Sequence, residues 1–380
     1  MSNRELLRFH AFCLTDTGTR LEQFDRAIHA TVQPGNIVVD LGTGSGVLAY
    51  LACRAGASRV YAIEGDRAVG LAHLLAPGTG YADRITFIDR PSFQVTLPER
   101  VDVVLGDVFD TFGLQARGLS ALIDARHRFL NADGRMVPGE IRLEVAPVEA
   151  GREYRGDVDV WSRQVLGIDL TPLRTLAINQ PHPARFEPSQ LLAAPAVIAT
   201  VRPDLESPRV AGILRTTIDR DGVLHGLCGS FVATLADGIT IRNTPGDSST
   251  SNFAQALFPI AQPTPVAAGD TVDIELDWYD GLEVRWRVTV WPVAGGAARR
   301  FEGATLFGAL LDPAELHRLS TQSPPRRSAI GQAEYELLAR CDGTQSTAAL
   351  AAWAHGRFPD LFPTAQEAGV FVRSVVARAT

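Results

Sequence analysis

The pattern of apolar and polar positions changes twice along the chain. In residues 1–139, the short apolar runs NIVVDLG, VYAIEGD, RITFID and VDVVLGD alternate with segments whose apolar residues recur at helical spacing. Such runs are typical of buried strands, and the spacing between them is typical of amphipathic helices. Alternating strands and helices imply right-handed crossovers. We therefore predict a Rossmann-like α/β domain with a doubly wound parallel sheet in this part of the chain.

Residues 140–319 follow a strand-like alternation instead. Asp-Gly dipeptides at 237–238 and 280–281 each separate two strand-like runs, as in β-hairpins. These features predict an antiparallel β-barrel or sandwich. A proline-punctuated, partly helical segment at 169–192 interrupts it like an inserted arm. We expect three tryptophans of the alternating strands to lie in the core: Trp278, Trp286 and Trp291.

Residues 320–380 begin with the polar linker STQSPPRRS and continue with three segments of helical period. Thr364 and Glu367 fit a capping box at the start of the last one. We predict a small helical domain. Its turn LLARCDGT and the two segments after it resemble the winged-helix peptide-binding modules of peptide-modification enzymes, which would imply peptide binding. A helical cap packed on the barrel is the alternative.

Composition narrows the possible partners. The net charge of the 380 residues is −7 and no dense Lys/Arg run occurs, so we expect no nucleic-acid partner. The four cysteines lack a CxxC pair or a His at ligand spacing, which predicts neither a metal site nor a disulfide framework. No apolar run approaches the ~18 residues of a membrane span. We expect a cytoplasmic protein that does not bind membranes.

The segment VVDLGTGSGVLAYLA carries the chemistry of the first domain. It places Gly42, Gly44 and Gly46 between a strand and a helix, where the backbone can approach an anionic ligand closely. Glu64 ends the next strand, where an acid can accept hydrogen bonds from ribose hydroxyls. Asp40 lies within an apolar strand and needs a partner, which a cofactor ammonium group would supply. These residues predict an S-adenosylmethionine site, with another nucleotide cofactor as the alternative.

With this motif in place, the chain resembles the protein arginine methyltransferases over roughly residues 8–300. The resemblance extends through HAFCLTDTGTRLEQFDRAI, VDLGTGSGVLAYLACRAGASRVYAIE and the ungapped stretch from VDVVLGDVFDTFG to GRMVPGEIRLEV. It implies S-adenosylmethionine as methyl donor, with S-adenosylhomocysteine as product. It also implies a β-barrel that carries a dimerisation arm, and hence a homodimer.

The resemblance also assigns cofactor contacts. It implies that Arg20 pairs with the cofactor carboxylate and that His10 caps the same end. Asp40 and Gly42 would hold the methionine moiety. Ser92 and Phe93 stand where the family has an acid near the adenine, so backbone groups and stacking are expected to recognise the base there. Glu64 would bind the ribose.

The acceptor side departs from the family. Asp107 and Ala116 occupy the positions of two loop glutamates, and Ser251–Phe253 replaces a Thr-His-Trp loop. Two carboxylates can clamp a planar guanidinium from both sides, whereas one cannot. A one-acid pocket also suits a smaller amine, a hydroxyl or a carboxylate. We predict that Asp107, Asp110 and Asn252 serve the acceptor.

Three hypotheses on function remain open at this level. The first is methylation of a peptide or protein in a modification pathway, which the barrel and the C-terminal domain favour. The second is methylation of a small amine, amino acid or natural-product metabolite, which the missing acid favours. The third is a catalytically silent cofactor-binding protein. The acceptor atom, nitrogen or oxygen, is also open.

Overall fold

The computed structural model describes residues 3–15, 20–205, 207–247, 251, 253–310, 312, 316–317 and 320–379. The chain divides into two compact units, Met1–Ala309 and Leu310–Thr380. A further division of the first unit at residue 139 stays a prediction.

Helices and strands alternate in the first part of this unit and strands dominate the second. Its helices are α1 (Asn3–Thr15), α2 (Arg20–Thr31), α3 (Val47–Arg54), α4 (Val69–Thr79), α5 (Gly118–Arg128), α6 (Gly151–Asp157) and α7 (Thr171–Ala177). Its strands up to the arm are β1 (Ile37–Leu41), β2 (Arg59–Glu64), β3 (Ile85–Asp89), β4 (Val101–Gly106), β5 (Phe109–Asp110), β6 (Gly113–Leu114), β7 (Leu130–Val137), β8 (Glu140–Val148), β9 (Gln164–Val165) and β10 (Ile168–Asp169). The later strands are β11 (His182–Ala184), β12 (Ala196–Val201), β13 (Arg209–Thr217), β14 (Gly222–Ala236), β15 (Ile239–Arg242), β16 (Gln255–Val266), β17 (Thr271–Tyr279), β18 (Glu283–Trp291) and β19 (Arg299–Ala304).

A parallel sheet of order β3-β2-β1-β4-β7 confirms the predicted Rossmann-like fold. Its central strands are buried along nearly their whole length, which is why they read as continuous apolar runs. Leu41 lies opposite Ile63 of β2 and Gly106 of β4. Glu64 and Asp107 therefore leave the sheet at the same edge, on either side of β1. This carboxyl edge is where parallel α/β sheets bind ligands.

Two antiparallel sheets form the β domain, with orders β11-β16-β14-β8-β12 and β13-β17-β18-β19, and β15 pairs with β14. Both predicted Asp-Gly hairpins are present. Trp278 and Trp286 are buried in the core, and the Trp286 indole donates to the carbonyl of Pro259 at 3.0 Å. The prediction for Trp291 was wrong: this ring is 47% exposed and donates to Asp273. Its odd position in the alternation of β18 points it to the outer face.

An arm, residues 151–180, projects from the β domain as helices α6 and α7 with the hairpin β9–β10 between them. The buried Tyr154 anchors it, because its hydroxyl donates to the carbonyl of Ile260 and Arg174 donates to the same hydroxyl. The hairpin carries apolar side chains into solvent, with Leu166 98% and Ile168 63% exposed. The predicted insertion, residues 169–192, is partly helical as expected, since it contains α7 and a 3₁₀ turn at Pro188–Gln190. The arm itself begins earlier, at residue 151.

The second unit has its own small core. Its helices are α8 (Ala329–Leu338), α9 (Thr347–Arg357) and α10 (Ala365–Ala379), and its described residues contain no strand. The predicted capping box is confirmed: Glu367 N donates to the Thr364 hydroxyl, and Thr364 N donates to the Glu367 carboxylate. The resemblance to a winged-helix module stays a prediction. Among all described residues, no helix is both long and apolar enough to span a bilayer.

Candidate active site

The loop between β1 and α3 is built on left-handed glycines. Gly42, Gly44 and Gly46 have φ of 66°, 54° and 83°, a region that strains residues with a Cβ. Gly44 N donates to Glu64 Oε2 at 2.9 Å, and Asp66 N donates to Glu64 Oε1 at 2.9 Å. Burial raises the pKa of Glu64, and these N–H groups oppose the rise. The predicted glycines and Glu64 therefore form one connected loop at the sheet edge.

Helix α1 passes over this loop. A Cβ on Gly44 would lie 2.7 Å from Cε1 of His10, so a larger residue there would have to displace the imidazole. His10 is buried, which lowers its pKa, and the nearby Asp66 acts in the opposite direction. The structure thus brings His10 to the glycine loop, as the prediction requires, while its role as a cap on the cofactor stays a prediction.

Asp40 has an unsatisfied buried oxygen. The side chain is 1% exposed, and its Oδ2 accepts the hydroxyl of Thr43 at 2.5 Å. Its Oδ1 is buried without a hydrogen-bond partner. Burial raises the pKa of Asp40 to about 7, and the Thr43 hydroxyl and, more weakly, the backbone N–H of Ala49 oppose the rise. A buried acceptor of this kind calls for a donor. The space in front of Gly42 is open, since no atom lies within 4 Å of a Cβ built there. The site therefore fits the amino-acid end of S-adenosylmethionine.

Arg20 and Asp107 meet beside this site. Arg20 is 4% exposed, and its Nη1 lies 3.5 Å from Asp107 Oδ2. Its Nη2 donates to the carbonyl of Cys13 at 3.1 Å, and its guanidinium lies 5.1 Å from the ring centroid of Phe253. Asp107 Oδ1 is buried without a hydrogen-bond partner. Burial raises the pKa of Asp107, and the charge of Arg20 opposes the rise. The unpartnered Oδ1 can accept a hydrogen bond from a ligand.

Asp110 makes a hydrogen bond only within its own turn, among the contacts described for it, and does not bond Arg20 or Asp107. Its side chain is exposed, and its Oδ1 accepts the backbone N–H of Thr111 at 2.6 Å. This contact gives Asp110 a local role in the turn between β5 and β6. An acceptor-binding role for Asp110 stays a prediction.

The far end of the acceptor loop, residues 107–117, is held by the β17–β18 turn. A Cβ on Gly281 would lie 2.8 Å from Ala116 N, so the two backbones touch. Arg117 N donates to the carbonyl of Asp280, whose buried carboxylate accepts both the N–H and the hydroxyl of Ser120. Ala116 itself is exposed. The position of the family's second glutamate is therefore fixed in the fold but bears no acid.

Ser92 and Phe93 follow β3, the strand that pairs with the one ending at Glu64. They form a 3₁₀ turn after β3, whose last residue, Asp89, pairs with Glu64. The Ser92 carbonyl accepts Arg128 Nη2 at 2.8 Å, so Arg128 already uses this backbone group. The Phe93 ring is 49% exposed, which leaves a surface for stacking. Adenine recognition by these residues stays a prediction.

Asn252, the third predicted acceptor residue, lies outside the described residues. The neighbouring Ser251 is buried, and its hydroxyl accepts Phe253 N at 3.1 Å. Within the described part of the chain, no cluster of three or more His, Cys, Asp or Glu side chains could hold a metal ion.

Sequence reasoning missed two buried polar residues near the site. Thr43, which binds Asp40, could have been noticed, because a hydroxyl three residues after a buried acid can reach it. Asn243 gave no signal, since one of its partners, Thr111, is 132 residues away.

Comparisons with known proteins agree with this geometry. A family model described as Ribosomal protein L11 methyltransferase (PrmA) matches residues 17–137. The chain is 32% identical over 293 residues to the Arginine N(omega)-methyltransferase of Streptomyces achromogenes subsp. streptozoticus, across 74% of this chain and 78% of that protein. It is 31% identical over 253 residues to probable histone-arginine methyltransferase 1.3 of Arabidopsis thaliana, across 63% of this chain and 47% of the relative. The chain thus spans most of the bacterial relative and about half of the plant one.

Solved structures of arginine methyltransferases share this fold. The Trypanosoma brucei PRMT1 enzyme-prozyme heterotetrameric complex with AdoHcy superposes with a TM-score of 0.68 at 18% sequence identity. The superposition covers 78% of this chain and 97% of that one. At this identity the likeness establishes the fold.

Proposed function

This chain belongs to the arginine methyltransferase family and is an S-adenosylmethionine-dependent methyltransferase, and we infer its methyl acceptor from the residues of the site. We propose that it methylates a nitrogen of a basic side chain in a peptide or protein. The observation that carries this proposal is the buried, unpartnered Oδ1 of Asp107 at the carboxyl edge of the sheet.

The cofactor side of the site has one group for each of three parts of the ligand: the ammonium, the carboxylate and the ribose. Asp40 Oδ1 would accept the ammonium group, and Arg20 would pair with the carboxylate. Glu64, already held by Gly44 N, would accept the ribose hydroxyls. The bound cofactor supplies an electrophilic methyl group on a sulfonium.

Asp107 is the group that faces the acceptor. An ionised carboxylate with a free lone pair attracts an N–H donor and repels a carboxylate, so a basic nitrogen suits it better than an acidic acceptor. The guanidinium of Arg20 at 3.5 Å favours the ionised form of Asp107. Holding the nitrogen in line with the methyl group lowers the barrier chiefly by orientation.

Ala116 limits what this site can hold. With one carboxylate, a guanidinium is bound along one edge, and the second nitrogen has no partner at position 116. We expect weaker discrimination between a guanidinium and a simple amine than a two-acid loop would give. Restoring the acid as Ala116→Glu should raise selectivity for arginine over lysine.

A small-molecule acceptor is the second candidate. The bacterial relative, which matches 74% of this chain, is named for arginine rather than for a protein. Because position 116 bears no acid, an acceptor smaller than a peptide arginine could also be held by Asp107 alone. Free arginine is therefore the first small molecule to test.

We also propose a homodimer formed through the arm. The hairpin β9–β10 exposes Leu166 and Ile168, and helix α4 exposes Leu74 at 79%. Apolar side chains clustered at the tip of a projecting element are typical of an interface. Leu166→Asp should shift the protein to the monomer in light scattering.

We also propose that residues 320–380 bind the peptide substrate. Peptide binding to the full chain tests this.

Radiolabelled methyl transfer tests the acceptor directly. The purified protein is incubated with labelled S-adenosylmethionine and, separately, an arginine-containing peptide, its lysine counterpart or free arginine. We expect label in the arginine peptide and a loss of about 100-fold in Asp107→Asn, which keeps the shape but not the charge. Asp237→Asn, at an exposed hairpin turn, is the matched control and should stay within about twofold of the parent.

The outcomes separate the candidates. Label only in free arginine would replace the peptide proposal with the small-molecule one. Equal rates for Asp107→Asn and the parent would remove Asp107 from the reaction. Binding of S-adenosylhomocysteine without label in any acceptor would favour a silent cofactor-binding protein.

A further inference from the structure

A fully buried amide, Asn243, lies directly after β15 and joins three segments of the first unit. It is 1% exposed. Its Oδ1 accepts Phe231 N at 2.7 Å, and its Nδ2 donates to the carbonyls of Thr111 at 2.8 Å and Ala254 at 2.7 Å. One side chain thus connects β14, the acceptor loop and the segment that follows Ser251–Phe253.

These segments border the place where Asp107 and Arg20 meet. Thr111 lies four residues after Asp107 in the turn between β5 and β6, and Ala254 follows Phe253. Contacts between aromatic rings link the same segments as the amide hydrogen bonds. The Phe109 ring stacks on Phe231 at 5.4 Å with an interplanar angle of 3°, and Phe253 meets the edge of Phe231 at 6.0 Å. The amide and the rings therefore hold the same two loops against β14.

A second amide fixes the backbone of Asn243. Gln255 Nε2 donates to the Asn243 carbonyl at 2.5 Å, and Gln255 Oε1 accepts Phe186 N at 3.0 Å. With both its backbone and side chain bonded, Asn243 has little freedom to shift. It can therefore transmit a fixed spacing to the loops that it binds.

We propose that Asn243 is a positioning residue that sets the separation between the acceptor loop and Phe253–Ala254, and so presents Asp107 to the methyl acceptor. The inference rests on the proposed function for its catalytic consequence. The chemistry requires an amide: only Asn or Gln offers one acceptor and two N–H donors in a single plane. Gln is longer by a methylene, which a fully packed site cannot take up.

Asn243→Asp is the sharpest test, because it keeps the shape and the bond from Phe231 N. In this variant a carboxylate oxygen replaces the Nδ2 group and faces the carbonyls of Thr111 and Ala254, which lose their donor. Asn243→Ser serves as a second variant that offers a single hydroxyl in place of the amide. Val232→Ala is the control for lost stability, since Val232 is buried on the opposite face of β14 from Phe231.

Hydrogen exchange and kinetics are measured on each full-length variant. In Asn243→Asp we expect amides in the acceptor loop, such as Gln115 N, which donates to the Val108 carbonyl, to exchange at least ten times faster. We expect kcat to fall by about 10- to 100-fold. Affinity for S-adenosylhomocysteine should stay within twofold, because the Asn243 amide bonds Phe231, Thr111 and Ala254 and none of the residues assigned to the cofactor, Arg20 included. Asn243→Ser should give intermediate values, and Val232→Ala should change neither property.

Three results would overturn the inference. They are unchanged exchange in the acceptor loop of Asn243→Asp, a kcat within twofold of the parent, and the same effects in Val232→Ala. If the parent protein methylates no acceptor, the proposed function fails, while exchange of the acceptor loop still decides the role of Asn243.

Discussion

We expect the unsatisfied oxygen of Asp40 to make cofactor affinity depend on pH, and Asp40→Asn tests this directly. A carboxyl whose pKa is raised in the folded protein holds its proton more tightly there than in the unfolded chain. Its contribution to stability is therefore complete below the ordinary value of 3.8 and is lost as pH rises through about 7. At pH 8 the cofactor-free protein thus contains an ionised, half-satisfied carboxylate that the ammonium group would neutralise.

The magnitudes follow from this shift. The difference between 3.8 and about 7 corresponds to about 4 kcal/mol of folding free energy between low and high pH. If the ligand binds only the ionised form, the dissociation constant rises by about 25-fold from pH 7.5 to pH 5.5. Replacing the carboxylate by an amide removes a charge-assisted hydrogen bond of about 1.5–3 kcal/mol, so binding at pH 8 should weaken by roughly 10- to 100-fold.

Calorimetric titration with S-adenosylhomocysteine between pH 5.5 and 8.5 gives the affinities. Thermal unfolding of the free proteins gives the stabilities. The affinity of the parent should decrease as the pH is lowered, while the affinity of Asp40→Asn stays nearly constant. The difference between the two proteins isolates Asp40 from Glu64 and Asp107, whose pKa values are also raised. Asp237→Asn removes an exposed charge and should follow the parent. At pH 8 the free Asp40→Asn protein should be no less stable than the parent.

Two results would refute this reasoning. One is a parent affinity that is flat across this pH range. The other is an Asp40→Asn variant that binds as tightly as the parent at pH 8. Either would mean that Asp40 Oδ1 does not receive the ammonium group.

Three further predictions concern the scaffold. Gly44→Ala should weaken S-adenosylhomocysteine binding by about tenfold in calorimetry, because its φ of 54° and the overlying imidazole both exclude a Cβ. Gly70→Ala, in an open helical position of α4, should instead leave binding unchanged and slightly raise the melting temperature. Trp286→Ala should lower the free energy of unfolding in urea by roughly 3–5 kcal/mol, and Trp291→Ala by less than about 1 kcal/mol; equal losses would contradict their assigned burial. Removal of residues 310–380 should leave cofactor binding intact by the same calorimetry, since the described cofactor residues all lie in the first unit.

Much of the cofactor site could be predicted from the sequence because it is local. A buried parallel strand reads as an apolar run, and glycines directly after it mark a turn that a ligand can approach. Asp40, Gly42 and Gly44 lie within one such segment. Glu64 ends the next strand of the parallel sheet, so the register carries it to the same edge.

The acceptor side depended on tertiary structure. Arg20 and Asp107 come from different elements and meet only when α2 packs on the sheet. Asn243 reaches Thr111 across 132 residues, a contact that no periodicity records. Trp291 shows why burial could not be predicted from residue type alone: an aromatic residue in a strand is buried or exposed according to which face of the sheet it occupies. Apolar period and turn chemistry are properties of neighbouring residues and can be read along the chain. Contacts between side chains and distant backbone groups depend on how the sheets and loops pack, and only the folded molecule determines them.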